Sequence, residues 1–354
     1  MKINSMAKKA FERTRASYSY ARLSHRLPVK NTFYKLSAAE KHEVDTLWGG
    51  FGRKLSYAWH EMFADKTGSF DARYLPGGLF EIEILPKLNS IPMTYAWADK
   101  AYYQERFPNS QFPKAYLYCI HGRFYSPTYE PLDATDALRV LKDNEKVFAK
   151  PSVDTRTGKG AALLSSEDID IDYLRQIASN RNSNYVFQQV VRQHPALSQF
   201  NESSVNILRM ISLRYGGECR LLHTTLRFGI PGSNTDVAFV DGKEIVRGVR
   251  VSANGSIGNR ILDLEGTTTL LDDDFFTAGR VIPNFDSAAA MCKEIHEHLH
   301  HFDLVAFDVA VQENGEPIIL EFNIRQPGIL VYQFVHGPFF GEYTEGLVKE
   351  LLKS

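Results

Sequence analysis

Apolar positions recur along this chain in two rhythms. Val44, Leu47, Leu55, Trp59 and Phe63 fall near helical spacing between residues 37 and 64. Ser37 followed by Glu40 has the form of a capping box. Trp48-Gly-Gly-Phe-Gly52 divides the stretch into two helices. Residues 68–92 are rich in Gly and Pro and predict an extended crossing. A helix is expected from Asp99-Lys100 through Phe107, then a strand over Phe112–Ile120, a His121-Gly122 turn and a returning Arg123–Tyr125. Asp136–Asp143 predicts a short helix. Ser165 to Asp168 has the form of a second capping box, leading a helix through Ile177, and Tyr185–Val191 reads as a strand. Val205–Leu213 alternates and Cys219–Phe228 repeats the pattern as its antiparallel neighbour. Residues 229–285 carry little pattern, and Asp272-Asp-Asp274 reads as a solvated turn. Ser287–Phe302 is amphipathic at helical period, and Gly341–Leu352 closes the chain as a helix.

The chain's organising stretch is Phe302–Gly328, FDLVAFDVAVQENGEPIILEFNIRQPG. Two short apolar runs, Leu304–Val311 and Ile318–Asn323, flank Asn314-Gly315, a strong type I′ hairpin signal. A two-residue loop there sets Asp308 directly opposite Glu321, with Asn323 on the same face. Two carboxylates opposed in an apolar hairpin repel, and a divalent cation resolves the conflict: hard oxygen donors suit Mg²⁺ or Mn²⁺ alongside substrate phosphates. A solvated hairpin face would also tolerate the acids. Ala306, Ala310 and Ile319, which look buried, favour the metal.

Other candidates lie before and after the hairpin. Lys146-Val-Phe-Ala-Lys150-Pro151 reads as a strand closed by proline, followed by the polar loop Ser152–Gly160, which contains Lys159, and a second strand over Ala161–Leu164. A lysine at a strand end facing such a loop can clamp phosphates, although an ordinary hairpin with an exposed lysine has the same pattern. Gln188 and Gln189 sit at a strand end where backbone groups could read an adenine edge. Arg209 shares an otherwise apolar strand face with Val205, Ile207, Ile211 and Leu213, so it needs a partner: a charged pocket or a buried acid. Arg325, just past Asn323, is placed to reach a phosphate that the metal also holds. His296, His298, His300 and His301 tempt a metal reading, but most fall off the helix's apolar stripe.

The 354 residues allow one large or two moderate domains, and 44% apolar with 23% charged residues is ordinary for a soluble globular chain. A net charge of -1 gives no global case for nucleic acid. Residues 1–27 are basic with interleaved Tyr and Phe. They read as a solvated helical face, or alternatively as an arm on a membrane surface or anionic partner. Three cysteines without paired spacing fit neither a disulfide framework nor a thiolate zinc site. No apolar run is long enough to span a membrane, and the default location is cytoplasmic.

Taken in order, Asp99-Lys100, Lys150-Pro with its loop, the Gln188-Gln189 strand end, Asp308 with Glu321-x-Asn323, and Pro327-Gly328 resemble the ATP-grasp superfamily. Gln193-His194-Pro-Ala-Leu197, Ser204-Val-Asn206-x-x-Arg209 and the region from Phe33-Tyr-Lys-Leu36 to Leu88-Asn89 are similar to its sugar-transfer-associated branch, with an alpha-L-glutamate ligase-like relationship. The resemblance implies an α+β fold in which two α+β subdomains clasp ATP, about 95–190 and 191–354, behind a mostly helical N-terminal region, 1–94. It implies that Lys100 and Lys150 contact phosphates, and that the strand around Gln189–Val191, Val190 included, meets adenine, with Gln188, Lys159 and His194 also at the nucleotide. Asp308, Glu321 and Asn323 would ligate Mg²⁺, and Arg209 and Arg325 would steady a γ-phosphate or acyl phosphate. The implied activity joins a small carboxylate, an amino acid or sugar acid, to an amine through an acyl phosphate. The implied setting is polysaccharide biosynthesis, with a possible glycosyltransferase partner. A kinase on the same nucleotide site, or a non-catalytic ATP-binding regulator, would fit the same motifs.

Overall fold

The computed structural model describes residues 32–153, 160–233 and 235–352. The basic segment 1–27 and Lys159 lie outside the described residues. Two helices open the described chain, α1 (Ala38–Gly49) and α2 (Tyr57–Thr67). The Ser37–Glu40 capping box forms as the sequence predicts. The extended crossing expected over 68–92 does not form. Instead a helical run with a π-helical turn covers Gly77–Leu79, Phe80–Ile84 and Leu85–Leu88. Leu79, Phe80, Ile84, Leu85 and Leu88 are all buried, and that one-sided burial overrides the weak helix propensity of the glycines and prolines around them.

A six-stranded antiparallel sheet follows, in the order β3-β2-β1-β6-β4-β5. Its strands are β1 (Ala115–Ile120), β2 (Arg123–Tyr125), β3 (Pro131–Leu132), β4 (Lys146–Pro151), β5 (Ala162–Ser165) and β6 (Tyr185–Gln188). Helices α3 (Ala134–Lys142) and α4 (Ile171–Ser179) accompany it. The predicted Ser165–Asp168 box forms a turn, but α4 is capped by Asp170, whose side chain accepts from Tyr173 N.

The second sheet runs β12-β11-β10-β8-β7-β13-β14, with β9 added to β10. Its strands are β7 (Ile207–Tyr215), β8 (Glu218–Phe228), β9 (Val237–Val240), β10 (Lys243–Val251), β11 (Ile257–Asp263), β12 (Thr268–Leu270), β13 (Leu304–Val311) and β14 (Pro317–Asn323). One face packs against α5 (Phe285–His298) through Val305, Phe307, Val309 and Ile319. The other face shares a core with α1, α2, α6 (Leu330–His336) and α7 (Thr344–Leu352). Two buried amides lock the N-terminal helices to this face. Asn89 Nδ2 donates to the Leu304 and Ile324 carbonyls at 2.8 and 2.6 Å. Gln333 exchanges hydrogen bonds with both backbone groups of Leu75, at 2.8 and 2.9 Å.

His296 proves to be a core residue. Its Nε2 donates to the Phe302 carbonyl at 3.0 Å and its Nδ1 lies 2.6 Å from the Ser212 hydroxyl. His60 donates from Nε2 to the Ala72 carbonyl. Burial pulls both imidazoles down to about 4. An unfolded histidine titrates near about 6.5, so below that the unfolded chain binds more protons than the folded one. Stability is therefore full above about pH 6.5 and is lost as pH falls toward about 4, at up to about 1.4 kcal/mol per pH unit for each histidine. Urea midpoints should fall steeply across that window. An NMR titration in which either imidazole protonates at about 6.5 in the folded protein would overturn this.

Candidate functional site: a carboxylate–lysine cluster where the two sheets meet

The hairpin β13–β14 reaches the predicted pairing by an unpredicted route. The turn holds three residues rather than two: Gln312 and Glu316 close it, with Gly315 in the left-handed region at φ 86°. Val311 pairs with Pro317 and Val309 with Ile319, one residue out of step with the two-residue loop. A β-bulge at Leu320 then restores the step, so Asp308 does pair with Glu321 and Ala306 with Asn323. The bulge also switches faces. Ile319 and Phe322, three apart, enter the same core, which leaves Glu321 facing the opposite way with Asp308. Gly315→Ala should lower stability by about 1–2 kcal/mol, the cost of a Cβ in the left-handed region, because its surroundings leave a Cβ ordinary contact room. Denaturant midpoints check this.

Arg209 of β7 lies in register beside Asp308. Its Nε and Nη2 donate to the two carboxylate oxygens, Nη2 at 2.9 Å, and Asn323 Nδ2 donates to Asp308 Oδ2 at 3.2 Å. The two alternatives for Arg209 are thus both met: it pairs with a buried acid and also lines a cavity. On the other carboxylate, Lys100 Nζ lies 3.1 Å from Glu321 Oε2. Lys150, at the end of β4, crosses from the small sheet and donates to the Leu320 carbonyl at 3.0 Å. The bulge thus presents a carbonyl to the lysine.

Burial drives the Asp308 carboxyl up to about 7, with Arg209 opposing and Glu321 adding to the push. Burial also acts on Glu321, but Lys100 and Lys150 outweigh it and hold that carboxyl down at about 2. Burial, then the neighbouring Lys100, pulls the Lys150 ammonium down to about 8. Each charge here is kept in its state by the others.

A cavity of about 670 Å³, the size of a small-molecule site, gathers Lys100, Arg209, Asp308, Glu321, Asn323 and Arg325. The Arg325 guanidinium also lies 4.2 Å from the centre of the Tyr95 ring. Lys150 is not on the wall but is tied to the same hairpin through the Leu320 carbonyl. Gln188, Gln189, Val190 and Val191 are not on the cavity wall: Gln188 is buried in β6, and Gln189 N donates to the Lys114 carbonyl. His194, also expected among the nucleotide contacts, is off the cavity wall and caps the short helix Pro195–Ser198, its Nδ1 accepting from Ala196 N. Gln193 and Asn206, from the same motif, are clamps: Gln193 bonds the Asn201 and Ser204 carbonyls and Asn206 N.

The wall also holds residues the sequence reading did not assign to the site: Glu81, Arg227, Asp236 and Tyr332. Arg227 stands on an alternating strand like Arg209, and that was the available signal. Asp236 falls in the stretch without pattern.

Two carboxylates and an amide form an all-oxygen donor set. The hydrogen bonds to Asp308 leave its oxygens further lone-pair capacity, and with Nδ2 directed at Asp308 the donor left on Asn323 is Oδ1. Among the described residues no group of three or more His, Cys, Asp or Glu could hold a metal by itself. An ion here would draw its remaining ligands from a substrate, which is the habit of Mg²⁺ beside phosphates. The residues fit MgATP: oxygen ligands on the hairpin, and ammonium groups for phosphate oxygens on Lys100 and Lys150.

Solved structures similar to the chain include the ATP-grasp ligase PsnB complexed with minimal precursor, at 10% identity and TM-score 0.41, over 73% of this chain and 62% of that one. Another is the ADP complex of purK, N5-carboxyaminoimidazole ribonucleotide synthetase, at 13% identity and TM-score 0.40, over 72% of this chain and 52% of that one. A third is D-alanyl-alanine synthetase A from Vibrio cholerae O1 biovar eltor, at 11% identity and TM-score 0.39, over 73% and 66%. The chain thus spans between about half and two thirds of the length of these structures. No curated protein matches it by sequence. The two antiparallel sheets with accompanying helices are an ATP-grasp fold. The profile of sugar-transfer associated ATP-grasp proteins matches residues 80–342, and the chain belongs to that family.

Proposed function

We propose that this protein is an ATP-dependent ligase that joins a carboxylate to an amine through an acyl phosphate. The reading rests on one observation above all: Lys100, Arg209, Asp308, Glu321, Asn323 and Arg325, distant in sequence, share one cavity, with Lys150 tied to the same hairpin. In this reading residues of about 95–190 and 191–354 form two halves that clasp the nucleotide, with adenine beside Gln188–Val191. Lys100 and Lys150 hold phosphate oxygens, as the family resemblance implies. Asp308, Glu321 and Asn323 hold Mg²⁺, or Mn²⁺, which when bound offsets charge on the transferring phosphoryl group. The carboxylate oxygen attacks the γ-phosphorus and ADP leaves. The amine nitrogen then attacks the acyl carbon, the amide bond forms and phosphate leaves, while the amine's proton passes to solvent. Arg209, held by Asp308, and Arg325 stay in place to meet the charge on the acyl phosphate. Positioning supplies much of the acceleration. A setting in polysaccharide biosynthesis is part of the same proposal, in keeping with the family's description as sugar-transfer associated.

The test is ADP and phosphate release with Mg²⁺ across pools of amino acids and sugar acids, with and without amines. Phosphate release only when acid and amine are both present is the expected result. ADP without free phosphate would replace the ligase with a kinase. Nucleotide binding without release from any pool would favour a regulator.

A further inference from the structure

The part of the cavity wall that carries Arg227, Asp236 and Tyr332 is left unused by the proposed phosphate chemistry. Arg227 of β8 stands on the same face of the sheet as Arg209, and Asp236 comes from the segment leading into β9. Arg227 is 7% exposed. Its Nη1 donates to the Tyr332 hydroxyl at 3.2 Å, and its Nη2 lies 2.7 Å from Asp236 Oδ2. That contact is off the line of the N–H bonds. Arg227 Nε is buried without a hydrogen-bond partner among the described residues, and Asp236 Oδ2, although ion-paired, accepts no hydrogen bond there. A buried donor without an acceptor is costly, so a ligand that supplies one is favoured.

One orphan donates and the other accepts, and their charges offset. An ammonium would satisfy Asp236 and face Arg227 unfavourably. A carboxylate would do the reverse. A hydroxyl does both tasks at once, accepting from Nε and donating to Oδ2. The same cavity wall suits such a ligand: Glu244 adds an acceptor for a further hydroxyl, and Gly77 and Gly78 bring backbone to the surface without a Cβ.

We propose that this part of the cavity binds a polyhydroxylated substrate, a sugar or sugar acid, one of whose hydroxyls bridges Arg227 and Asp236. What becomes of that substrate rests on the ligase reading above; its recognition does not. A water would satisfy the same two atoms, so the test must set a ligand hydroxyl against water. Binding of D-glucuronate, D-galacturonate and gluconate to the full chain, measured by calorimetry and saturation-transfer NMR, is compared with cyclohexanecarboxylate, which has the acid and the ring but no hydroxyls. At least one hydroxylated probe should bind about tenfold or more tighter, since a site built to hydrogen-bond a hydroxyl rejects the analogue lacking it. Asp236→Asn should erase that preference. Should this variant not fold, as judged by its thermal melt, Arg227→Met/Asp236→Leu, which removes both charges together, takes its place. Equal binding of cyclohexanecarboxylate, no binding of any hydroxylated probe, or a preference that survives the substitutions overturns the proposal. Uronate selectivity without phosphate release in any pool would sink the ligase and leave this site standing. Amide formation with unhydroxylated acids preferred would do the opposite.

Discussion

Glu321→Gln should lower kcat by about 10²–10³-fold or more and weaken Mg²⁺-dependent nucleotide binding. The substitution keeps the shape but removes the charge that lies 3.1 Å from Lys100 and that also supports the Lys150 ammonium. Two effects then act together: an anionic oxygen ligand is lost, and two buried ammonium groups lose their counter-charge. Nucleotide affinity measured with Mg²⁺ and with EDTA separates them. The Mg²⁺-dependent part of the affinity should shrink most. Undiminished turnover would rule out the role assigned to this carboxylate.

Arg209→Ala should destabilise the fold by up to about 3–5 kcal/mol, because the buried Asp308 carboxylate loses its counter-charge and must either stay uncompensated or take up a proton. Arg209 and Asp308 are 7% and 5% exposed, so water cannot step in cheaply. Arg209→Met/Asp308→Leu should recover most of the loss, since a buried ion pair replaced whole by apolar side chains is often neutral. The same double variant should remain inactive. Urea midpoints and ADP release, measured on both variants, separate what the pair does for the fold from what it does for chemistry. A single variant as stable as the parent would mean that Asp308 is already neutral without its partner.

The site was legible where chemistry conflicted with pattern. Asp308, Glu321 and Arg209 each interrupt an apolar strand, and each proved to lie on one cavity. The pairing of Asp308 with Glu321 was foreseen from a two-residue turn that does not exist, and the bulge at Leu320 supplied the missing step. No composition signal marks that bulge, since leucine fits a regular strand as well. The helical run at 77–88 was hidden by glycine and proline, whose local preference yielded to burial of Leu79, Phe80 and Ile84. His194, singled out by its motif, makes one local hydrogen bond at a helix start and is not on the cavity wall. Asp236 could not be found without coordinates, because only the fold brings it to Arg227.

The clasp between Leu75 and Gln333 joins residues 258 apart in sequence. On a ribosome adding about 5–20 residues per second, the first helices would wait on the order of 10–50 s for the segment that completes their core. During that interval Trp48, Phe63, Phe80 and their neighbours have no partner surface from the C-terminal helices, although all are buried in the finished chain. Vectorial synthesis therefore cannot finish this protein from its N-terminus inward. A stalled or truncated chain that ends before α6 would carry an open apolar face, and chaperone retention or aggregation would be its expected fate.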